Sequence, residues 1–217
     1  MTAAHPDPVP AGMRIGLVAR ILAGLTAAAA IYALLLQLDI MGQTMTLGAA
    51  LWRFAGYFTL LTNLLVFLVA GHLALGHADR MGAPPVRLMA TVGIALVGLV
   101  YWLALQDLWQ PTGAQFVADM LLHRATPVLM VLTWLAAPHG GLEWRALAWP
   151  MGWALAYAGY ALLRGAFDGW YAYWFLDPTQ QGAGALALSV IVLAASFAVF
   201  AALLIALDRW LARRAAR

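Results

Sequence analysis

Six runs of about 20 apolar residues, parted by short breaks, constrain this chain more than any other feature of its sequence. A helix of about 20 residues crosses a hydrocarbon core of about 30 Å. Lipid offers no partner for a bare backbone N–H or C=O, so a run of that kind is helical. The runs are Ile15 to Leu36, Phe54 to Leu75, Leu88 to Leu105, Phe116 to Ala136, Ala146 to Leu163 and Ala183 to Leu207. Between them lie turn-forming stretches such as "HADRMGAPPVR", "QDLWQPTG", "APHGGLEWR" and "FDGWYAYWFLDPTQQG". Only 10% of residues are charged, against about 25% in soluble domains. The expectation is an all-α polytopic membrane protein, a six-transmembrane-helix bundle. Residues 1–13 read as a disordered lead-in and residues 14–217 as a single domain.

A secretory signal is the alternative for the first run, which follows Arg14 and contains Arg20. The run is too long for a signal core of about 7 to 15 residues, which favours a retained helix. All 12 basic residues are arginine, and their positions set an orientation. With the N-terminus inside, nine fall on the cytoplasmic side (14, 20, 80, 87, 145, 209, 213, 214 and 217) and two, Arg53 and Arg164, outside, with Arg124 left inside a span. That asymmetry obeys the positive-inside rule and places both termini in the cytoplasm. Trp52, Trp109, Trp144, Trp170 and Trp210 stand near span ends, where interfacial aromatic belts form. The net charge of +3 therefore needs no nucleic-acid partner. The absence of cysteine removes disulfides, thiolate metal ligands and a cysteine nucleophile.

Ionisable groups inside a span are costly unless they face a partner or a wet cavity, which makes them functional candidates. The fourth run, "FVADMLLHRATPVLMVLTWLA", carries Asp119, His123 and Arg124. Asp119 and His123 are four residues apart, on one helical face, with Thr126 three residues further along it. Pro127 cannot donate to the His123 carbonyl and predicts a kink with a free acceptor beside the imidazole. The plain alternative has Asp119 and Arg124 near the headgroups, pairing with each other or with Arg164 and Asp168.

The second run contributes "YFTLLTN", with Thr59, Thr62 and Asn63. If that helix enters the membrane near Arg53, Thr59 lies about 9 Å deep and His123, seven residues past Phe116, about 10 Å deep. Thr59 and Asn63 share a face, with Thr62 beside it. A hydroxyl, an imidazole and a carboxylate behind the imidazole form an activated nucleophile, and Asn63 is a candidate donor to a developing oxyanion. The competing expectation is that such Thr and Asn side chains are interhelical glue.

"GYFTLLTNLL", "LLHRATPVL" and "YAYWFLD", in that order, resemble a family of predicted six-transmembrane bacterial membrane proteins. They are more distantly similar to the androgen-induced and androgen-dependent membrane hydrolases, which cleave fatty acid esters of hydroxy fatty acids. The resemblance runs from the second span onward and implies a catalytic threonine at Thr59 and a catalytic histidine at His123. Those hydrolases carry an acidic residue where this chain has Thr62. The resemblance also marks Tyr173 and Asp177 of "YWFLD" on the outer side, with loop anchoring as open as catalysis.

The expected function is hydrolysis of lipid-like esters in a bacterial inner membrane, with Thr59 and His123 catalytic and Asn63, Asp119, Thr62 and Arg124 supporting. The alternative is a non-catalytic membrane module that binds or transports a small amphiphile. Membrane lipids and an amphiphilic ligand are the expected partners, and no cofactor or metal is expected. His72 and His123 lie at opposite levels, which argues against haem, and no His or carboxylate spacing matches a metal site. His77 and His139 fall in loops, where solvated histidine is expected.

Overall fold

The computed structural model describes residues 15–108 and 110–217. The lead-in, Arg14 and Trp109 lie outside the described residues. Those described form eight α-helices and no strand: α1 Leu17–Gly42, α2 Leu47–Ala55, α3 Phe58–Ala74, α4 Pro84–Val100, α5 Gly113–Met120, α6 Thr126–Ala136, α7 Ala148–Asp168 and α8 Ala183–Ala215. Tyr101–Leu105 extends α4, and Leu121–Ala125 joins α5 to α6, each as a single π-helical turn.

Four helical segments are long and apolar enough to cross a bilayer: α1, α4 with its π turn, the α5–α6 rod Gly113–Ala136, and α8. Their mean hydropathies are 2.0, 2.2, 1.3 and 2.9. The bent pair α2 and α3 makes a fifth if counted together. The run expected over Ala146 to Leu163 forms α7, 21 residues long, but α7 is not among them. Its Trp149, Trp153, Tyr157, Tyr160 and Arg164 dilute the aliphatic content. The fold is thus all-helical, with four or five segments suited to a multi-pass membrane protein.

Helix α4 is the centre of the bundle, packed by α3, α6, α7 and α8. Helix α1 lies against α3 and α6. Its inward stripe is small, with Ala19, Ala23, Thr26, Ala30 and Ala33 all buried, and small residues bring membrane helices into close van der Waals contact. Thr26 and Thr133 bond across that seam at 2.9 Å. Ile94 and Val66, with no exposed surface, belong to the core between α1, α3, α4 and α6. Leu88, Val92 and Ile205 anchor the one between α4 and α8.

The second run is not one straight helix. Helix α2 turns away from α3 by 86° at the Gly56–Tyr57 break. Exposed Leu47, Leu51 and Trp52 give α2 an apolar outer face, suited to lying in a membrane interface. The break is fixed by close packing. A Cβ on Gly56 would stand 2.4 Å from Trp170 and 2.5 Å from the Arg164 guanidinium, so a larger residue there displaces both side chains. The Tyr157 hydroxyl donates to the Gly56 carbonyl at 2.9 Å, satisfying an acceptor that the bend leaves open.

The opposite end of the bundle corrects one expectation. His139 is not a solvated loop histidine: Nδ1 lies 3.0 Å from Asp208 and Nε2 3.1 Å from the Leu135 carbonyl. Arg87 is buried nearby and donates to the Pro138 carbonyl at 3.0 Å. Asp208 also accepts from the Gly140 and Leu142 amides, so the chain after α6 is tied to α8.

Candidate functional site

At the end of the bundle that carries Arg53 and Arg164, a cavity of about 420 Å³ opens between α1, α3, the two π turns and the chain after α7. Thr59, Tyr101, Asp119, His123 and Tyr173 all line it. Thr59 and His123 therefore meet in one space, although the depth reasoning that paired them is not how they meet. Helix α3 starts at Phe58, not near Arg53, so Thr59 sits in its first turn. His123 is ten residues beyond the start of α5. They come together where the head of α3 faces the π turn after α5, with Tyr173 against Thr59.

The local sequence explains the shape of the histidine strand of the site. Pro127 has no N–H, and a π turn over Leu121–Ala125 precedes it in place of a sharp break. Gly98 of α4 lies against this turn. A Cβ there would be 3.2 Å from the His123 carbonyl and 3.1 Å from Pro127, so the glycine sets how closely α4 approaches. Its neighbour Tyr101 opens the other π turn.

Asp119 is buried and takes two side chains at once. The Tyr101 hydroxyl donates to its Oδ2 at 2.5 Å. Its Oδ1 lies 3.2 Å from His123 Nδ1, which is also 3.2 Å from the Asp119 backbone carbonyl. Facing two acceptors, Nδ1 carries the ring proton and Nε2 is left as the acceptor. Oδ1 itself has no hydrogen-bond partner, so the Nδ1–H is directed to the backbone carbonyl. Arg124 makes no ion pair with Asp119 among the described residues. It is exposed, with its guanidinium 5.8 Å from the Tyr101 ring centre. Arg164 and Asp168, the other expected partners of Asp119 and Arg124, pair with each other instead, at 3.3 Å.

On the threonine side, the partner is Tyr173. Its hydroxyl lies 3.4 Å from Thr59 Oγ1 and accepts from the Thr59 amide at 3.3 Å. That amide is one of the unpaired donors at the head of α3. No hydrogen bond joins Thr59 to His123 among the described residues.

The other second-run candidates turn inward to hold helices. Asn63 is fully buried and gives its amide protons to the carbonyls of Thr59, at 2.9 Å, and Leu122, at 3.3 Å. Both protons are spent, so Asn63 has none for an oxyanion; it ties the first turn of α3 to the π turn. Thr62, also without exposed surface, accepts from Trp153 Nε1 at 3.1 Å and fastens α3 to α7. Thr126 is buried too, and its hydroxyl has no partner.

Two tyrosines complete the site. Tyr101 carries one signal in the sequence, a hydroxyl near the end of an otherwise apolar run. Tyr173 of "YWFLD" sits on Thr59. Asp177, marked beside it, anchors the loop: Oδ1 accepts from the Thr179 amide at 2.8 Å and hydroxyl at 2.6 Å, and Oδ2 from Gln180 at 2.6 Å. These bonds, the Thr179 hydroxyl first, hold its carboxyl below the usual aspartate range. Among the described residues no three His, Asp or Glu side chains converge to hold a metal ion.

Comparison with family models, with curated proteins and with solved structures gives no match for this chain.

Proposed function

We propose that this protein is an integral membrane hydrolase of lipid-like esters, with Thr59 as nucleophile and His123 as base. The observation that carries the proposal is one cavity lined by both residues, with Asp119 behind the imidazole. Thr59 Oγ1 attacks the acyl carbonyl while its proton passes to His123 Nε2. The ester C–O bond then breaks, and the departing alcohol takes that proton. Water attacks the acyl-threonine, gives a proton to Nε2, and the acid leaves as Thr59 recovers its hydroxyl proton. With Asn63 committed to backbone carbonyls and the Thr59 amide to Tyr173, the donor beside the developing oxyanion is the Tyr173 hydroxyl. Asp119 holds the ring in the tautomer the first step needs.

The bundle in this reading crosses a bacterial inner membrane six times, with α7 as the polar-edged fifth crossing and both termini cytoplasmic. Reporter fusions after Arg217 and near Arg80 then read as cytoplasmic, and one near Thr112 as external. A periplasmic signal after Arg217 removes this topology.

A second reading, a non-catalytic module that binds or carries an amphiphile, is favoured by one observation. The Thr59 hydroxyl is bonded to Tyr173 rather than to His123, so catalysis requires Thr59 to change rotamer. Reaction of the purified protein with a fluorophosphonate, followed by mapping of the modified peptide, separates the two. Modification of the Thr59 peptide supports the hydrolase. An unlabelled protein that retains a tightly bound, unaltered amphiphile supports the module.

A further inference from the structure

A second space adjoins the polar cavity. It is a narrow crevice of about 80 Å³ between α4, α7, α8 and the chain joining α7 to α8. Thr59, Leu105 and Tyr173 line both spaces, so the two share one wall. The remaining lining of the crevice is aliphatic or aromatic apart from Tyr157 and Ser196, and neither of their hydroxyls is free to donate. Tyr157 donates to the Gly56 carbonyl at 2.9 Å and Ser196 to the Val192 carbonyl at 2.8 Å.

We propose that this crevice is a binding site for one hydrocarbon chain of an amphiphile, whose carbonyl end lies at Thr59. A polar ligand would lose its hydration there and gain no partner, which costs about 1 to 3 kcal/mol for each unpaired group. A hydrocarbon chain loses nothing and gains close packing. The polar atoms that remain, on Thr59 and Tyr173, stand only at the wall shared with the histidine cavity. A chain in the crevice therefore directs its head group towards His123. The small side chains of Ala154, Ala158 and Ala194 leave the room that the chain fills. Helix α8 forms one wall and is mostly exposed, with Leu188 at 60% and Ile191 at 64%, so the approach is from the bilayer side. Placing the carbonyl at the reacting hydroxyl rests on the hydrolase reading above; the chain site itself does not.

Two measurements on the full-length protein in detergent test the proposal. The first photolyses a diazirine-bearing palmitic acid with Thr59→Ala protein and maps the adduct. Adducts on α7 and α8 around Ala158, Leu193 and Ala194, suppressed by excess palmitate but not by butyrate, are expected. Adducts confined to the outer faces of α1 or α2, or unaffected by palmitate, overturn the chain site. The second compares hydrolysis of 4-nitrophenyl butyrate and palmitate by the unmodified protein, Ala194→Trp and Ala158→Leu. At least one of the two substitutions should lower kcat/KM for palmitate tenfold or more while leaving butyrate within twofold. Equal loss on both esters in both variants overturns the chain site. Inner-face adducts without any ester turnover would retain the chain site and remove the hydrolase; turnover without such adducts would do the reverse.

Discussion

The ring of Tyr101 lies 4.2 Å from the ring of His123 and only 16° from parallel, while its hydroxyl reaches past that ring to Asp119. One side chain thus fixes the plane of the imidazole and occupies an oxygen of the carboxylate behind it. Tyr101→Phe keeps the stack and deletes the hydroxyl. Fluorophosphonate labelling of Thr59 should slow roughly tenfold, the scale of one hydrogen bond to a charged group. Tyr101→Leu, which removes both contacts, should slow it further. Labelling rates of the three proteins check this, and equal rates would exclude Tyr101 from the site.

Asp119→Asn offers His123 an amide in place of a carboxylate. If the amide oxygen stays with the Tyr101 hydroxyl, its NH2 faces Nδ1 and drives the ring to the tautomer that carries its proton on Nε2. The base is then lost with the shape intact, so turnover should fall on the order of 10³ to 10⁴. Melting temperature and ester turnover measured on the same preparation decide the matter. A large fall in melting temperature with full activity in the folded fraction would make Asp119 purely structural.

Thr59 and Thr62 should part cleanly. Thr59→Ala should abolish labelling at small cost in stability, since its hydroxyl has one long contact, 3.4 Å to Tyr173. Thr62→Ala leaves the Trp153 N–H without its partner in a part-buried site, a loss of about 1 kcal/mol. The protein that remains folded should label at the normal rate. Thermal melts and labelling of both variants read the two effects separately.

The loop that carries Tyr173 should loosen in acid. Its anchor Asp177 has a carboxyl held below the unperturbed value of 3.8, with the Thr179 hydroxyl as the main cause. A depressed folded value stabilises the loop above 3.8 and loses that contribution as pH falls through the folded value. Protection factors for hydrogen exchange across residues 169–182, corrected for the intrinsic pH dependence of exchange, should therefore be high at about pH 6 and fall once the pH drops below 3.8. Thr179→Val should move that onset to higher pH. An onset that stays put would mean that Asp177 does not hold the loop.

Asn63 shows where legibility in the sequence stopped. Its polarity in an apolar run was evident, and so was its shared face with Thr59, but those facts suit an oxyanion donor and a helix tie equally. Only the positions of the Thr59 and Leu122 carbonyls decide that it is a tie. Tyr101 failed in the opposite direction, because a tyrosine near the end of an apolar run looks like interfacial belt until a carboxylate from another helix is found 2.5 Å away.

The sequence by itself determined that this chain is helical and suited to a bilayer, and it exposed Thr59, Asp119 and His123 as polar residues in apolar runs. Those properties are local: each backbone group bonds within its own helix, and each misplaced polar side chain shows against its immediate neighbours. Tertiary structure alone decided that α3 begins at Phe58 after an 86° bend, that Tyr173 rather than His123 holds the Thr59 hydroxyl, and that Tyr101 braces Asp119. Each depends on how closely separate helices approach, at Gly56 and Gly98 above all, and hydropathy along one chain carries no record of that distance.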